Sequence, residues 1–162
     1  STLDRSSAAS DVYKRQNPHT GKTVERGKML SETDWERLHV AAREAQTHAY
    51  CPYSHYRVGA AALTEDGRIV TGCNSENASY GLGLCAECGL ISQLTLSGGG
   101  KLVAFLCYGN PEGQTPVLTV PCGRCRQLLR EHASPELVIE TPAGRRPFQE
   151  ILPESFGPEF LS

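Results

Sequence analysis

From residue 31 onwards, the hydrophobic positions recur first at the spacing of a helix and then at that of strands. The run Ser31-Glu32-Thr33-Asp34 can cap a helix, which ends at Cys51-Pro52-Tyr53. The apolar residues of this helix recur every three or four positions and are Trp35, Leu38, Ala42, Ala45 and Ala49. Residues 56–63 and 68–73 are apolar runs joined by Asp66-Gly67, a hairpin signal. This part of the chain therefore predicts a helix followed by an antiparallel strand pair.

Helices and strands continue to alternate along the rest of the chain. A helix is predicted from Cys85 to about residue 96, and the three glycines that follow at 98–100 stop it. Strands are predicted at 101–108 and 137–141, and an apolar stretch at 117–120 leads into a helix that ends at His132. This alternation predicts an α/β layered domain, most simply a sheet of about five strands flanked by helices.

Residues 1–29 lack this periodicity. They are polar and charged and contain the breakers Asn17-Pro18 and Thr20-Gly21. We interpret them as a flexible leader, which is compatible with either a sequence artefact or a real extension. Residues 30–162 are expected to form a single domain, because a chain of this size can bury a core without disulfides.

The charge balance argues against a polyanionic partner. The 16 Lys and Arg residues are offset by 18 Asp and Glu residues, for a net charge of -2, so no basic face for nucleic acid is expected. No signal-peptide segment and no bilayer-length apolar stretch is evident, which favours a cytoplasmic protein without a membrane partner. The seven cysteines are then expected to be thiols or metal ligands rather than disulfide partners.

Two cysteine groups at predicted helix starts, Cys85-Ala86-Glu87 and Pro121-Cys122-x-x-Cys125, indicate metal chemistry. Three thiolates leave the fourth position of a zinc ion open for water, as in catalytic zinc sites, and helix N-termini favour ionised cysteines. Glu87 is placed to take a proton from that water and pass it to a leaving amino group. We therefore predict one zinc ion per subunit held by Cys85, Cys122 and Cys125, with Glu87 as the catalytic proton shuttle.

Two other interpretations of these cysteines stay open at this point. On the first, they are ordinary core cysteines at helix starts. On the second, Cys88 forms a C-x-x-C with Cys85 and supplies a fourth thiolate, which would close the shell and make the zinc structural. Spacing alone does not decide whether Cys88 reaches the metal.

The same motifs resemble those of the tetrameric, three-cysteine cytidine deaminases, closest to the actinobacterial, mycobacteria-like branch. The resemblance covers about residues 31–161. The motifs that carry it are Asn74-x-Glu76-Asn77-x-x-Tyr80, Cys85-Ala86-Glu87 and Pro121-Cys122-x-x-Cys125-Arg126-Gln127. It implies a three-layer cytidine deaminase-like fold, a homotetramer with shared active sites and a nucleoside substrate.

The resemblance also implies a mechanism and a set of substrate-binding residues. Zinc-bound hydroxide attacks C4 of cytidine or deoxycytidine, and Glu87 relays protons to N3 and to the departing ammonia, without an organic cofactor. The residues expected to bind substrate are Tyr56, stacked on the pyrimidine, Asn74 and Glu76, on the ribose, Ala86, at the base edge, and Tyr80 and Phe156, reaching a neighbouring subunit's site. On the plainer interpretations, Tyr56 and Phe156 pack in the core and Tyr80 caps a loop. Asn74 then only ends a strand, and Glu76 is a solvated turn residue.

The sequence departs from the family pattern after the catalytic glutamate. Many relatives have an arginine there that offsets the negative charge of three thiolates, whereas this chain has Cys88. Arg126 is then the predicted compensating residue around the ligands, with Arg124 as a weaker candidate, and Cys88 is expected to be a buried non-ligand.

Three other functions remain as alternatives. The same zinc core could serve an aminohydrolase for a cytosine-containing antibiotic or another nucleoside analogue. A deaminase acting on polynucleotides is disfavoured by the charge balance. A structural zinc module with four cysteine ligands would have no use for Glu87.

Overall fold

The computed structural model describes residues 30–161, and the predicted leader lies outside these residues. The described α-helices are α1 (Glu32–Thr47), α2 (Ala86–Leu96), α3 (Gly123–His132) and the single turn α4 (Phe148–Ile151). The described strands are β1 (Tyr56–Thr64), β2 (Ile69–Cys73), β3 (Leu102–Pro111), β4 (Val117–Thr119), β5 (Ala133–Thr141) and β6 (Gly144–Pro147). Short 3-10 helices lie at Tyr80–Leu82 and Pro158–Phe160. Between residues 30 and 161, no helix is both long and apolar enough to cross a bilayer.

The strands form one mixed sheet in the order β2-β1-β3-β5-β6, and β4 also pairs with β3. The β3–β5 pair is parallel and the other pairs are antiparallel. The α/β fold class predicted from the sequence is confirmed, with six strands in the described residues where about five were expected.

Two hydrophobic clusters, one on each face of the sheet, give three layers. On one face, Trp35 and Leu38 of α1 pack against Ala61, Ala104 and other residues of β1 and β3. On the other face, Leu90 and Leu94 of α2 and Leu129 of α3 belong to a second cluster with residues of the sheet. The largest sheet residues in this cluster are Phe105 of β3 and Leu137 and Ile139 of β5. The two central strands are therefore buried on both faces, and this explains why they are continuously apolar.

Glycines allow the two long helices to lie directly on the sheet. A Cβ atom at Gly59 of β1 would be 2.2 Å from the carbonyl oxygen of Ala42 in α1. A Cβ at Gly72 of β2 would be 2.2 Å from the carbonyl oxygen of Ala86 in α2. No side chain fits at either position, so these glycines fix how closely each helix approaches.

The boundaries differ from the predicted ones where the sequence pattern is weak. β5 begins at Ala133, four residues earlier than predicted, and its first half contains Pro135 and Glu136, which are disfavoured in strands. β6 was not predicted, because Gly144–Pro147 contains two arginines and is exposed throughout. The capped start of α1 agrees with the prediction: the Ser31 hydroxyl accepts from the Asp34 N–H at 3.1 Å, and the Asp34 carboxylate accepts from the Ser31 N–H.

Candidate active site

Three cysteine sulfurs meet where the N-termini of α2 and α3 come together. Cys85 is the N-cap of α2, Cys122 is the N-cap of α3, and Cys125 lies in the first turn of α3. Their Sγ atoms all lie within 4.8 Å of one another. Because a Zn–S bond is about 2.3 Å, sulfurs this close can share one ion. Within residues 30–161, Cys88 does not belong to this group, so the four-thiolate arrangement is not what the fold assembles.

Without a cation, the protein environment opposes ionisation of two of the three thiols. Burial raises the pKa of Cys125, and the negative charge of Glu87 raises it further. Burial also raises the pKa of Cys85. At Cys122, burial acts in the same direction, but hydrogen bonds from the Cys125 backbone N–H and from the neighbouring thiols outweigh it and lower the pKa. A divalent cation at their centre would favour the thiolate at all three positions, so the donor set suits zinc.

Glu87 lies beside the three sulfurs on the first turn of α2. Its side chain is only 3% exposed, and it hydrogen-bonds the Cys125 thiol. The N-terminus of α2 carries a partial positive charge that stabilises a carboxylate at this position. A buried carboxylate next to the predicted metal position can therefore exchange protons with groups in the cavity.

A cavity of about 550 Å³ opens next to these residues. Its lining includes Cys85, Ala86, Glu87 and Cys122 from the two helix N-termini. It also includes Tyr56, Asn74, Glu76 and Tyr80 from β1 and the segment that follows β2. The volume falls in the range of small-molecule sites. The fold thus brings together, around one cavity, residues that are far apart in the sequence.

Several cavity residues were not predicted as site residues. Cys107 and Thr119 face each other across the β3–β4 pair, and the Cys107 thiol donates a hydrogen bond to the Thr119 carbonyl oxygen at 3.6 Å. In the sequence, Cys107 lies in an apolar run, which is typical of an ordinary core cysteine. Only the register of β3 and β4 places it in the cavity lining, and no sequence motif could have shown this.

Asn74 uses its side-chain amide to extend the edge of the sheet. Its Oδ1 accepts a hydrogen bond from the Val58 backbone N–H at 2.8 Å, and its Nδ2 donates to the Tyr56 carbonyl oxygen at 2.9 Å. The amide is thus held in one orientation at the cavity wall. One lone pair on Oδ1 and one proton on Nδ2 remain for a ligand.

Glu76 is held by a turn formed by residues 51–55. Its Oε2 accepts from the backbone N–H groups of Tyr53 and Ser54 at 3.0 and 3.1 Å, and its Oε1 accepts from the Ser54 hydroxyl. The hydrogen bond from the Ser54 hydroxyl is the main cause of the lowered pKa of Glu76. This carboxylate is therefore ionised and fixed at the cavity rim, where it can accept hydrogen bonds from hydroxyl groups. Ser54 had not been predicted as a site residue.

The aromatic residues predicted to contact substrate differ in their surroundings. The Tyr56 ring packs across the β1–β3 pair against Gly109, where a Cβ atom would be 2.7 Å from the Tyr56 hydroxyl. Tyr80 is 81% exposed, and its ring centroid lies 6.0 Å from that of Tyr53. Phe156 is 56% exposed and stacks on Phe160. Within residues 30–161, the lining of the cavity does not include Phe156.

The two candidate arginines make different contacts around the metal ligands. Arg126, the predicted compensating residue, donates from Nε to the Pro121 carbonyl oxygen at 2.9 Å and from Nη1 to the Ile151 carbonyl oxygen at 3.0 Å. It therefore ties the loop before Cys122 to α4. Arg124 donates from Nη1 to the Cys88 Sγ atom at 3.5 Å. Of these two arginines, Arg124 is therefore the one whose guanidinium hydrogen-bonds a sulfur atom.

Comparisons with known proteins agree with this geometry. Residues 32–141 match the family described as the cytidine and deoxycytidylate deaminase zinc-binding region. The chain is 50% identical to a cytidine deaminase from Mycobacterium tuberculosis over 128 residues, which cover 79% of this chain and 93% of that protein. The crystal structure of cytidine deaminase from M. tuberculosis matches with a TM-score of 0.69 at 49% identity, covering 76% of this chain and 98% of that one. The cytidine deaminase from Mycobacterium leprae matches with a TM-score of 0.67 at 50% identity, covering 74% and 98%.

Proposed function

Since the chain belongs to the zinc-dependent cytidine deaminase family and is an enzyme of the hydrolase type, we propose that it converts free cytidine, and deoxycytidine as well, to the uracil nucleoside with release of ammonia. The observation that carries this proposal is the position of Glu87, which is buried beside the three-cysteine group and lines the same cavity as Cys85 and Cys122. A reaction on a free nucleoside would suit a cytoplasmic salvage enzyme.

In the proposed site, Cys85, Cys122 and Cys125 would hold the zinc ion beside the cavity. A zinc ion bound there supplies Lewis acidity, which activates water for attack at C4 of the pyrimidine. The exclusion of Cys88 from the sulfur group supports this over a closed structural site. Ionised sulfurs at helix N-termini are stabilised by the partial positive charge of those ends.

Glu87 is proposed to move two protons. Its carboxylate takes one proton from the attacking water and delivers it to N3 of the base. It then takes the proton of the new C4 hydroxyl and passes it to the amino group, which leaves as ammonia while the C4 carbonyl forms. Its near-complete burial keeps bulk water from competing for these protons. The Ala86 backbone, one residue earlier on α2, is proposed to receive the edge of the base.

The sugar is proposed to bind where Asn74 and Glu76 line the cavity. The free lone pair and proton of the Asn74 amide and the carboxylate of Glu76 match the donor and acceptor character of ribose hydroxyls. The Tyr56 ring is proposed to stack on the pyrimidine. A phosphate at this position would meet the negative charge of Glu76, so a nucleoside is favoured over a nucleotide.

The exposed aromatics Tyr80 and Phe156 are proposed to complete the site of a neighbouring subunit in a homotetramer. Large aromatic side chains that are 81% and 56% exposed are typical of protein interfaces. Sedimentation velocity on the purified protein tests this: a species of four chains supports the proposal, and an active monomer contradicts it.

The proposed activity is tested by following the conversion of cytidine to uridine by ultraviolet absorbance. The Glu87→Ala protein should retain zinc and its thermal unfolding temperature but lose at least the ~10²–10⁴-fold that general acid-base catalysis supplies. Wild-type turnover in this variant would end the proposed mechanism. If neither protein converts cytidine while zinc is bound stoichiometrically, the substrate is a different one.

A further inference from the structure

We propose that Glu112 is a positioning residue, which locks the turn of residues 51–55 and so aims the carboxylate of Glu76 at the substrate's sugar. The inference rests on the proposed role of Glu76 as a ribose ligand. It extends the site to the residue that directly follows β3.

The first step is that the orientation of Glu76 depends on this turn. Both of its carboxylate oxygens accept hydrogen bonds from Tyr53 or Ser54, as described above. The Ser54 hydroxyl oxygen in turn accepts from the Tyr56 backbone N–H at 3.0 Å. A shift of the turn would therefore move the carboxylate that faces the sugar.

The second step is that the turn ends in a backbone conformation that needs support. His55 has φ of 55°, in the left-handed region that residues with a side chain rarely adopt. Its backbone N–H closes the turn by donating to the Cys51 carbonyl oxygen at 3.0 Å. Such conformations persist where surrounding groups hold them, and they concentrate at functional sites.

The third step is that Glu112 supplies this support from three directions. Its backbone N–H donates to the His55 carbonyl oxygen at 2.6 Å, and its Oε2 lies 3.4 Å from His55 Nδ1. Its Oε1 accepts from Arg57 Nη2 at 2.6 Å, and Arg57 Nη1 donates to the Thr47 carbonyl oxygen at 3.0 Å. The turn is thereby connected through Glu112 to the last residue of α1.

The fourth step separates positioning from general stability. The side chains of His55 and Glu112 are 65% and 49% exposed, so the contact buries little apolar surface. Exposed ion pairs contribute little to the free energy of folding. The effect of removing Glu112 should therefore fall on substrate binding rather than on the unfolding temperature.

A double-mutant cycle with Glu112→Ala, Glu76→Gln and the double variant tests the proposal on the zinc-loaded enzyme. Glu112→Ala should raise KM for cytidine on the order of tenfold, as loss of an orienting partner does elsewhere, with kcat much less affected. In the Glu76→Gln background, the same change should leave KM unaltered, because the group that it orients is already gone. Glu112→Gln, which keeps an acceptor for Arg57, should restore part of the loss. It replaces Glu112→Ala in the cycle if that variant does not fold.

The matched control is Glu150→Ala, which removes another exposed carboxylate paired with an arginine, Arg146, at 3.0 Å. It should leave KM unchanged in both backgrounds. The proposal would be overturned if Glu112→Ala raised KM equally in the wild-type and the Glu76→Gln backgrounds. It would also be overturned if Glu76→Gln raised KM and Glu112→Ala did not. The proposed function survives either result. If Glu76→Gln itself leaves KM unchanged, the ribose role of Glu76 fails and the positioning role fails with it.

Discussion

Adding one methyl group at Gly72 should displace the helix that carries the catalytic glutamate. A Cβ atom there would lie 2.2 Å from the Ala86 carbonyl oxygen, 2.4 Å from the Leu90 nitrogen and 3.0 Å from the Gly89 carbonyl carbon. All three are backbone atoms of α2, so no flexible side chain can move aside. Gly72→Ala therefore requires α2 to move away from β2.

The size of the effect follows from these distances. Ordinary van der Waals contact begins at 3.4 Å, so α2 must move by about 1.2 Å from its position over Gly72. Overpacking of this kind costs about 1–3 kcal/mol of folding free energy, or roughly 2–4 °C of unfolding temperature for each kcal/mol. The helix also carries Cys85 and Glu87, and a 1 Å misplacement at a reacting centre costs about 100-fold in rate. We expect both losses.

The assay pairs calorimetric unfolding with cytidine turnover at equal zinc content, and Gly89→Ala is the control. Gly89 lies on α2 opposite Gly72, but a Cβ atom there would be 3.6 Å from the nearest atom, the Gly72 Cα, which is ordinary contact. Alanine favours a helix by about 1 kcal/mol over glycine, so this variant should be at least as stable as the wild type and active. A wild-type unfolding temperature and kcat in Gly72→Ala, or equal losses in both variants, would refute the reasoning.

Three further predictions concern the metal and pH. Cys88→Ser should keep one zinc per chain and near-normal turnover. Cys88 lies outside the sulfur group of the described residues, and a serine hydroxyl can still accept a hydrogen bond from Arg124. Loss of metal on elemental analysis would contradict this. Removing the zinc with a chelator should abolish turnover and lower the unfolding temperature, and added Zn²⁺ should restore both. The reason is that a ligand that binds only the folded state stabilises it. An unchanged unfolding temperature after verified metal loss would count against the site. Burial, with Lys101 nearby, lowers the pKa of His132 from 6.5. Because the unfolded state then binds the proton more readily, the contribution of His132 to stability is present above pH 6.5 and is lost as the pH falls through its lowered pKa. Denaturant unfolding at several pH values should show that the free energy of unfolding falls less on acidification in His132→Gln than in the wild type. Identical pH profiles would contradict this role of His132.

The sequence alone was sufficient where the information is local. The helical spacing from Trp35 to Ala45, the Asp66-Gly67 hairpin and the glycine run after α2 each specify an element through a few neighbouring residues. The exposed β6 strand, by contrast, exists because its backbone pairs with β5, and its arginine-rich sequence gives no such signal.

The same division applies to the candidate site. The two cysteine motifs predicted the three-sulfur group and the position of Glu87 beside it. Each motif lies at a helix N-terminus, and zinc binding with proton transfer requires those residue types at that spacing. They did not distinguish the contacts of Arg124 and Arg126, which depend on which carbonyl oxygens and sulfurs each guanidinium reaches in the folded chain.

What only the tertiary structure decided is how distant segments hold one another in place. The support of the turn before β1 by Glu112, more than fifty residues later, arises because β1 and β3 pair with Tyr56 opposite Pro111. Likewise, the placement of α2 over Gly72 depends on two backbones packing without a side chain between them. Local sequence determines which chemical groups are present and which elements carry them. Long-range pairing and packing determine the distances between those groups, because no single segment contains that information.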